Sequence, residues 1–157
     1  MDCSLIITTY NWEKALELVI LSSIRQSYLP VEIIVADDGS TEETRKLIKS
    51  LGDNSPIPII HSWQKDKGFR AAKSRNKAIA KAIGDYIILI DGDMILHRDF
   101  VCDHCSFSKP GYFVQGIRAK LSAKKVKKVI KINPKKRTVS KKVKKVSKFS
   151  RLKTARK

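Results

Sequence analysis

Residues 86–90, Tyr-Ile-Ile-Leu-Ile, form an unbroken apolar run that stops abruptly at two carboxylates, Asp91-Gly92-Asp93. A run this short, with no alternation, reads as a strand buried on both faces, the condition of a parallel sheet covered by helices. Such a strand delivers its last residues to the carboxyl rim of the sheet, where open α/β sheets hold ligands. Carboxylates placed there suit a divalent cation and the phosphates it neutralises.

The same pattern occurs upstream. Residues 3–9 carry Leu5, Ile6 and Ile7 and close on Thr8 and Thr9, and residues 31–36 run into Asp37-Asp38-Gly39. Helical periods fill the intervals. Asn11 is positioned to cap a helix over residues 12–27, in which Leu16, Val19, Ile20, Ser23 and Ile24 make one apolar stripe. Ser40 and Glu43 have capping-box spacing for a second helix that closes near Gly52. The third strand, residues 57–61, contains Pro58, which cannot donate to a ladder, so it belongs at a sheet edge. A third helix is expected over residues 71–83, burying Ala72, Ile79, Ala82 and Ile83, with Gly84 ending it. Residues 111–116 read as a further strand.

Strands alternating with helices predict an α/β fold with a parallel sheet built from right-handed crossovers. Its carboxyl ends share one rim, which collects Thr8, Thr9, Asp37, Asp38, Asp91 and Asp93. If the first and fourth strands are neighbours, the crevice between them is the switch point at which a nucleotide lies.

Four segments taken together carry a resemblance: Thr8-Thr9-Tyr10-Asn11, Asp37-Asp38-Gly39-Ser40, Lys67-Gly68-Phe69-Arg70-Ala71-Ala72-Lys73-Ser74-Arg75-Asn76 and Asp91-Gly92-Asp93. In order and spacing they resemble the nucleotide-binding half of the family 2 glycosyltransferases, over residues 3–118. The resemblance implies a Rossmann-like GT-A fold and a nucleotide-sugar donor, with a UDP-sugar foremost. It implies that Thr8, Tyr10, Asp37, Asp38, Arg75 and Asp91 contact the donor, with Asp38 accepting a hydrogen bond from the base ring and Arg75 serving the diphosphate or ribose. Asp93, together with Asp91, is implied to hold Mn2+ or Mg2+. The implied reaction passes a sugar to a saccharide or lipid-linked acceptor in bacterial lipopolysaccharide or capsule synthesis. No catalytic residue is identified. The family's general base belongs to an acceptor half beyond Arg118, and this sequence has no Asp or Glu after Asp103.

Plainer readings stand beside these. Asp37-Asp38-Gly39-Ser40 also suits a turn leading into a capped helix, and Arg75 also suits an exposed helix surface. Asp91-Gly92-Asp93 also opens a phosphatase motif of the haloacid dehalogenase type, which wants Thr or Val where Ile95 stands. Cys102-Asp103-His104-Cys105 is half a zinc site, without a second paired cluster among Cys3, His61 and His97.

Charge divides the chain. Residues 1–103 hold all 15 acids and 13 of the 33 basic residues, whereas residues 104–157 hold 20 basic residues and no acid. The organisation expected is a truncated donor-binding domain over residues 1–118 and a Lys-rich tail over 119–157, disordered or irregularly helical. In that tail Lys-Lys-Val-Lys-Lys-Val at 124–129 recurs at 141–146. Three tail readings follow: a solvated remnant of a frame slip, a segment drawn to an anionic membrane surface, and a nucleic-acid binder. The last is disfavoured because aromatic residues do not interleave the lysines. No N-terminal export pattern is present, no run approaches the roughly 20 apolar residues of a membrane span, and three cysteines fit a reducing compartment. The expected location is therefore cytoplasmic, peripheral at the inner face of the cytoplasmic membrane. The alternatives to a transferase are an inactive remnant that binds nucleotide, and a basic-tail adaptor on anionic membrane or nucleic acid.

Overall fold

A computed structural model describes residues 1–130. Its four strands, β1 (Cys3–Thr9), β2 (Glu32–Asp37), β3 (Ile59–Trp63) and β4 (Tyr86–Asp91), form one sheet in the order β3-β2-β1-β4, with every pairing parallel. The first and fourth strands are thus neighbours, and the strand preceded by Pro58 lies at an edge.

Strand periodicity builds the two cores. Leu5, Ile7, Ile33, Val35, Ile88 and Ile90 face one side of the sheet, against Leu16, Val19 and Ile20 of α1 (Glu13–Ser23), Ile48 of α2 (Glu42–Gly52) and Val101 of α4 (Phe100–Phe107). Ile6, Ile34 and Ala36 face the other side, against Ala78 of α3 (Ala71–Ile79). Each fully buried Leu or Ile contributes roughly 1.5–3 kcal/mol by leaving water, so the β1–β2 centre, closed on both faces, is the mechanical base of the rim. The α3 face is narrower. Leu89 stays 49% exposed there, because α3 covers β1, β2 and β3 rather than β4.

Several local expectations shift. Helix α1 begins at Glu13, after Trp12, and ends at Ser23 rather than residue 27. Asn11 does not cap it. Asn11 adopts φ +46, its Oδ1 accepts the Thr41 N–H at 2.9 Å, and its own N–H donates to Ser40 Oγ at 2.9 Å. The capping box also fails, because Ser40 is spent on Asn11 and Thr41 takes the N-cap position of α2. The two residues read as helix caps instead stitch the β1 and β2 loops together across the rim.

β3 runs Ile59–Trp63, two residues later than expected, which leaves Pro58 outside the strand with its carbonyl accepting the Ile33 N–H at 2.9 Å. Helix α3 stops at Ile79, and it buries Ser74 and Ala78 rather than Ala72, Ile79 and Ile83; Ile83 is 76% exposed. Residues 111–116 make no strand, although they lie beside β4. Tyr112 and Phe113 are largely exposed there, so no apolar burial stabilises a ladder on that edge. The first Lys-Lys-Val repeat falls in α5 (Ala123–Ile130), which lies against α1 with Val126 and Val129 half-buried. The second repeat lies outside the described residues.

Candidate functional site

Register alone joins the rim. Thr8 pairs with Asp91 on one side and with Ala36 on the other, and Thr9 pairs with Asp37. Adjacent strands lie about 4.8 Å apart, so acids distant in sequence end on one lip. The Asp91-Gly92-Asp93 turn then folds directly over the end of β1. A Cβ on Gly92 would sit 2.5 Å from the Thr8 carbonyl oxygen, which only glycine avoids. Gly92→Ala is accordingly expected to destabilise the fold by about 1–3 kcal/mol and to displace both acids, which thermal melting and donor titration would register together. Unchanged melting and binding would show that the turn has slack.

Around Asp91 three side chains meet. Thr8 Oγ1 shares its hydroxyl proton between Asp91 Oδ1 at 3.3 Å and the Ile90 carbonyl at 3.2 Å. Arg75 Nη2, from α3, lies 3.2 Å from Asp91 Oδ1. Arg118 Nη1 lies 3.4 Å from Asp91 Oδ2. Asp93, one turn further, is exposed and has no hydrogen bond or ion pair among the described residues. The Asp-x-Asp pair therefore divides into one carboxylate held by cations and one open to solvent.

The β2 end is arranged differently. Asp38 is 5% exposed, and each of its oxygens already accepts one bond, from Gln64 Nε2 at 2.6 Å and from the Arg70 N–H at 2.7 Å. A carboxylate has about four lone-pair sites, so acceptor capacity remains. Tyr10 stands half-exposed beside it, its hydroxyl donating to Asp66 at 3.0 Å, and that bond raises the phenol pKa above the ordinary tyrosine value. The backbone of Asp66 in turn covers Gly39, whose φ of +107 and lack of a Cβ permit the approach.

Asp37, expected at the ligand, has no exposed surface. Its Oδ1 accepts the N–H groups of Gly39 at 3.1 Å and Ser40 at 2.7 Å, and its Oδ2 lies 2.8 Å from His61 Nε2. It positions the loop that carries Asp38 and cannot itself reach a ligand. Burial pushes its pKa up, but the bonds from His61 and Ser40 outweigh that and hold it below the ordinary carboxylate value. A carboxyl held low stabilises the fold while ionised and loses that contribution as pH falls through its folded value. Stability measured in urea should therefore fall below about pH 4, and Asp37→Asn should shrink that fall. An identical acid slope in the variant would refute the assignment.

Gln64, Asp66, His61 and Arg118 escaped the sequence motifs. The first three sit on or just after β3, where an interrupted apolar run gave little signal; their importance comes from partners on the β1 and β2 side, Asp37 for His61, Asp38 for Gln64 and Tyr10 for Asp66. Cys102 and Cys105 are free thiols on α4, with Cys105 packed against the main core.

The family model described as glycosyl transferase family 2 matches residues 4–152. An uncharacterized glycosyltransferase of Haemophilus influenzae is 33% identical over 71% of this chain and 44% of that protein. The UDP-Glc:alpha-D-GlcNAc-diphosphoundecaprenol beta-1,3-glucosyltransferase WfaP of Escherichia coli is 36% identical over 57% of this chain and 34% of that protein. The chain thus spans less than half the length of these curated relatives. Among solved structures, Staphylococcus aureus TarS 1-349 in complex with UDP-GlcNAc superposes with a TM-score of 0.58 at 26% identity, covering 68% of this chain and 32% of that one. A mannosyltransferase of Pyrobaculum calidifontis, solved with GDP-Man and Mn2+, gives a TM-score of 0.61 at 22% identity over 69% of this chain and 33% of that one, a likeness of fold. The parallel sheet is thus of the expected GT-A type. With a sheet that turns its acids and hydroxyls to one rim, and a family match running through nearly all of its length, the chain belongs to glycosyl transferase family 2.

Proposed function

We propose that the chain binds a nucleotide-sugar donor at the rim of β1, β2 and β4, within a donor-binding unit of residues 1–118. In this reading it serves a glycosyltransferase that passes the sugar to a saccharide or lipid-linked acceptor in bacterial surface polysaccharide synthesis. One observation carries the reading: Thr8, Arg75 and Asp91 are bonded together at the switch point, with the open carboxylate of Asp93 one turn away. A uridine donor leads the candidates, since TarS was solved with UDP and UDP-GlcNAc and WfaP is named for UDP-Glc.

The residues divide the donor between them. Asp38 accepts from the base ring with its remaining lone pairs, while Tyr10 and Thr8 border the base and ribose. Arg75 turns from Asp91 toward the diphosphate, where charge-assisted bonds are strong. Asp93 and Asp91 are hard oxygen donors, and no group of three or more His, Cys, Asp or Glu suited to a metal occurs among the described residues. Such a pair fits Mn2+ or Mg2+, which Asp93 and Asp91 would hold with few protein ligands. When bound, the cation supplies neutralisation of the diphosphate charge. Proton removal from an acceptor hydroxyl needs a base, and the sequence offers no Asp or Glu beyond Asp103.

Calorimetric titration with UDP-, GDP-, CDP- and dTDP-sugars, with and without MnCl2, tests the proposal. The expected result is one donor class that binds only with metal. The absence of metal-dependent binding to any of them would sink it. Release of free nucleotide on adding saccharide acceptors separates transfer from donor binding alone.

The lysines of α5 support a peripheral place at an anionic membrane surface. Lys124, Lys125, Lys127 and Lys128 are exposed, and each lysine near such a surface is worth about 1 kcal/mol. No helix of the described residues is long and apolar enough to cross a membrane. Sedimentation with phosphatidylglycerol vesicles but not phosphatidylcholine vesicles is the expected result; equal pelleting would remove the surface reading.

A further inference from the structure

The segment after α4 reads in sequence as a strand, yet it forms no ladder and instead carries Arg118 to the wall of a cleft of about 670 Å3 beside β4. Arg75 and Asp91 line the same cleft. Support for the segment comes from α4: a Cβ on Gly116 would already touch His104 Nε2 and Phe100 Cε2 at 3.8 Å. Gly116 and Ile117 are both exposed, so the segment runs over the surface as it passes α4.

We propose that Arg118 is a second guanidinium ligand for the diphosphate of the donor, acting opposite Arg75. The proposal rests on the donor reading given above. Its geometric basis is that the two guanidiniums take separate oxygens of one carboxylate, Arg75 on Asp91 Oδ1 at 3.2 Å and Arg118 on Oδ2 at 3.4 Å. All three side chains are 42–68% exposed, so the carboxylate is a partner in water and not a buried anchor. Exposed ion pairs contribute little. Exchanging Asp91 for a ligand with more charge and more acceptor oxygens is therefore favourable, and arginine's planar fork suits that exchange better than a lysine point charge.

Charge balance points the same way. Asp91 and Asp93 carry two negative charges and a divalent cation would add two positive ones, so a diphosphate ester with two negative charges leaves the assembly two charges short. Arg75 supplies one of them. Arg118 supplies the other, and it is the remaining cation that the structure places on Asp91 among the described residues.

The test uses the full chain with MnCl2 and compares a nucleoside diphosphate, its monophosphate and its nucleoside by calorimetry. The series is run on whichever of UDP, GDP, CDP or dTDP the wild type binds. Arg118→Ala is expected to weaken the diphosphate by about tenfold and to leave the monophosphate and nucleoside within about twofold. Arg118→Lys should recover part of the loss, and the diphosphate affinity of the alanine variant should depend less on salt. An unchanged melting temperature separates lost contact from lost fold. If Arg118→Ala binds the diphosphate as wild type does, or weakens all three ligands alike, the proposal is overturned while the donor reading stands. If the wild type binds none of the diphosphates, the donor reading falls and takes this proposal with it.

Discussion

Asp93→Ala is expected to weaken metal-dependent binding of the donor by about a hundredfold or more, ~2.8 kcal/mol, with almost no change in melting temperature. The asymmetry of the acidic pair dictates this. Asp93 is exposed and without a partner among the described residues, so the fold does not use it; such surface changes usually stay within about 0.5 kcal/mol of neutral. Asp91, in contrast, is already shared by Thr8, Arg75 and Arg118. Removing Asp91 frees two cations that can attract the diphosphate directly, so Asp91→Ala should lose less affinity and retain less dependence on metal. Titration of both variants with and without MnCl2 checks the pair. Retained manganese dependence in Asp93→Ala would place the cation elsewhere.

Asp37→Ala should produce the largest loss of stability, about 3–5 kcal/mol, and with it the loss of donor binding. The carboxylate is completely buried and serves three donors at once, the N–H groups of Gly39 and Ser40 and the ring of His61. Alanine leaves all three without an acceptor inside the protein, and each unsatisfied donor costs about 1–3 kcal/mol. Against a total stability of roughly 5–15 kcal/mol for a small domain, that is enough to populate unfolded chain. Asp37→Asn keeps one carbonyl oxygen for the two amides and should lose markedly less. Urea denaturation of the two variants decides it. A small loss in both would mean that the β2 loop holds its shape without the buried carboxylate.

These two acids also show how far the sequence could be read. Both stand in short acidic motifs after an apolar strand, and in one dimension both look like ligand contacts. Strand position was legible because β1, β2 and β4 are apolar runs of a length that a two-faced parallel sheet demands. Side-chain direction at the strand ends was not, since it depends on which neighbour lies across the ladder. His61 stands beside Asp37 through the β2–β3 pairing, whose register could not be read from Pro58 and a broken apolar run. Capping signals failed for a related reason. Asn11 and Ser40 have the right chemistry for helix caps, but each satisfies the other's loop, a competition that only proximity creates.

Local pattern determined the alternation of strands and helices, the parallel sheet and the family, because burial on two faces and turns at the carboxyl ends write themselves into contiguous residues. Tertiary structure decided which acid is a strut, which is shared by two arginines and which is left open to solvent. It also brought Arg118, outside every motif, to the switch point. The physical reason is that a carboxylate's role is set by what lies within about 3 Å of its oxygens, and those neighbours come from strands and loops far away along the chain.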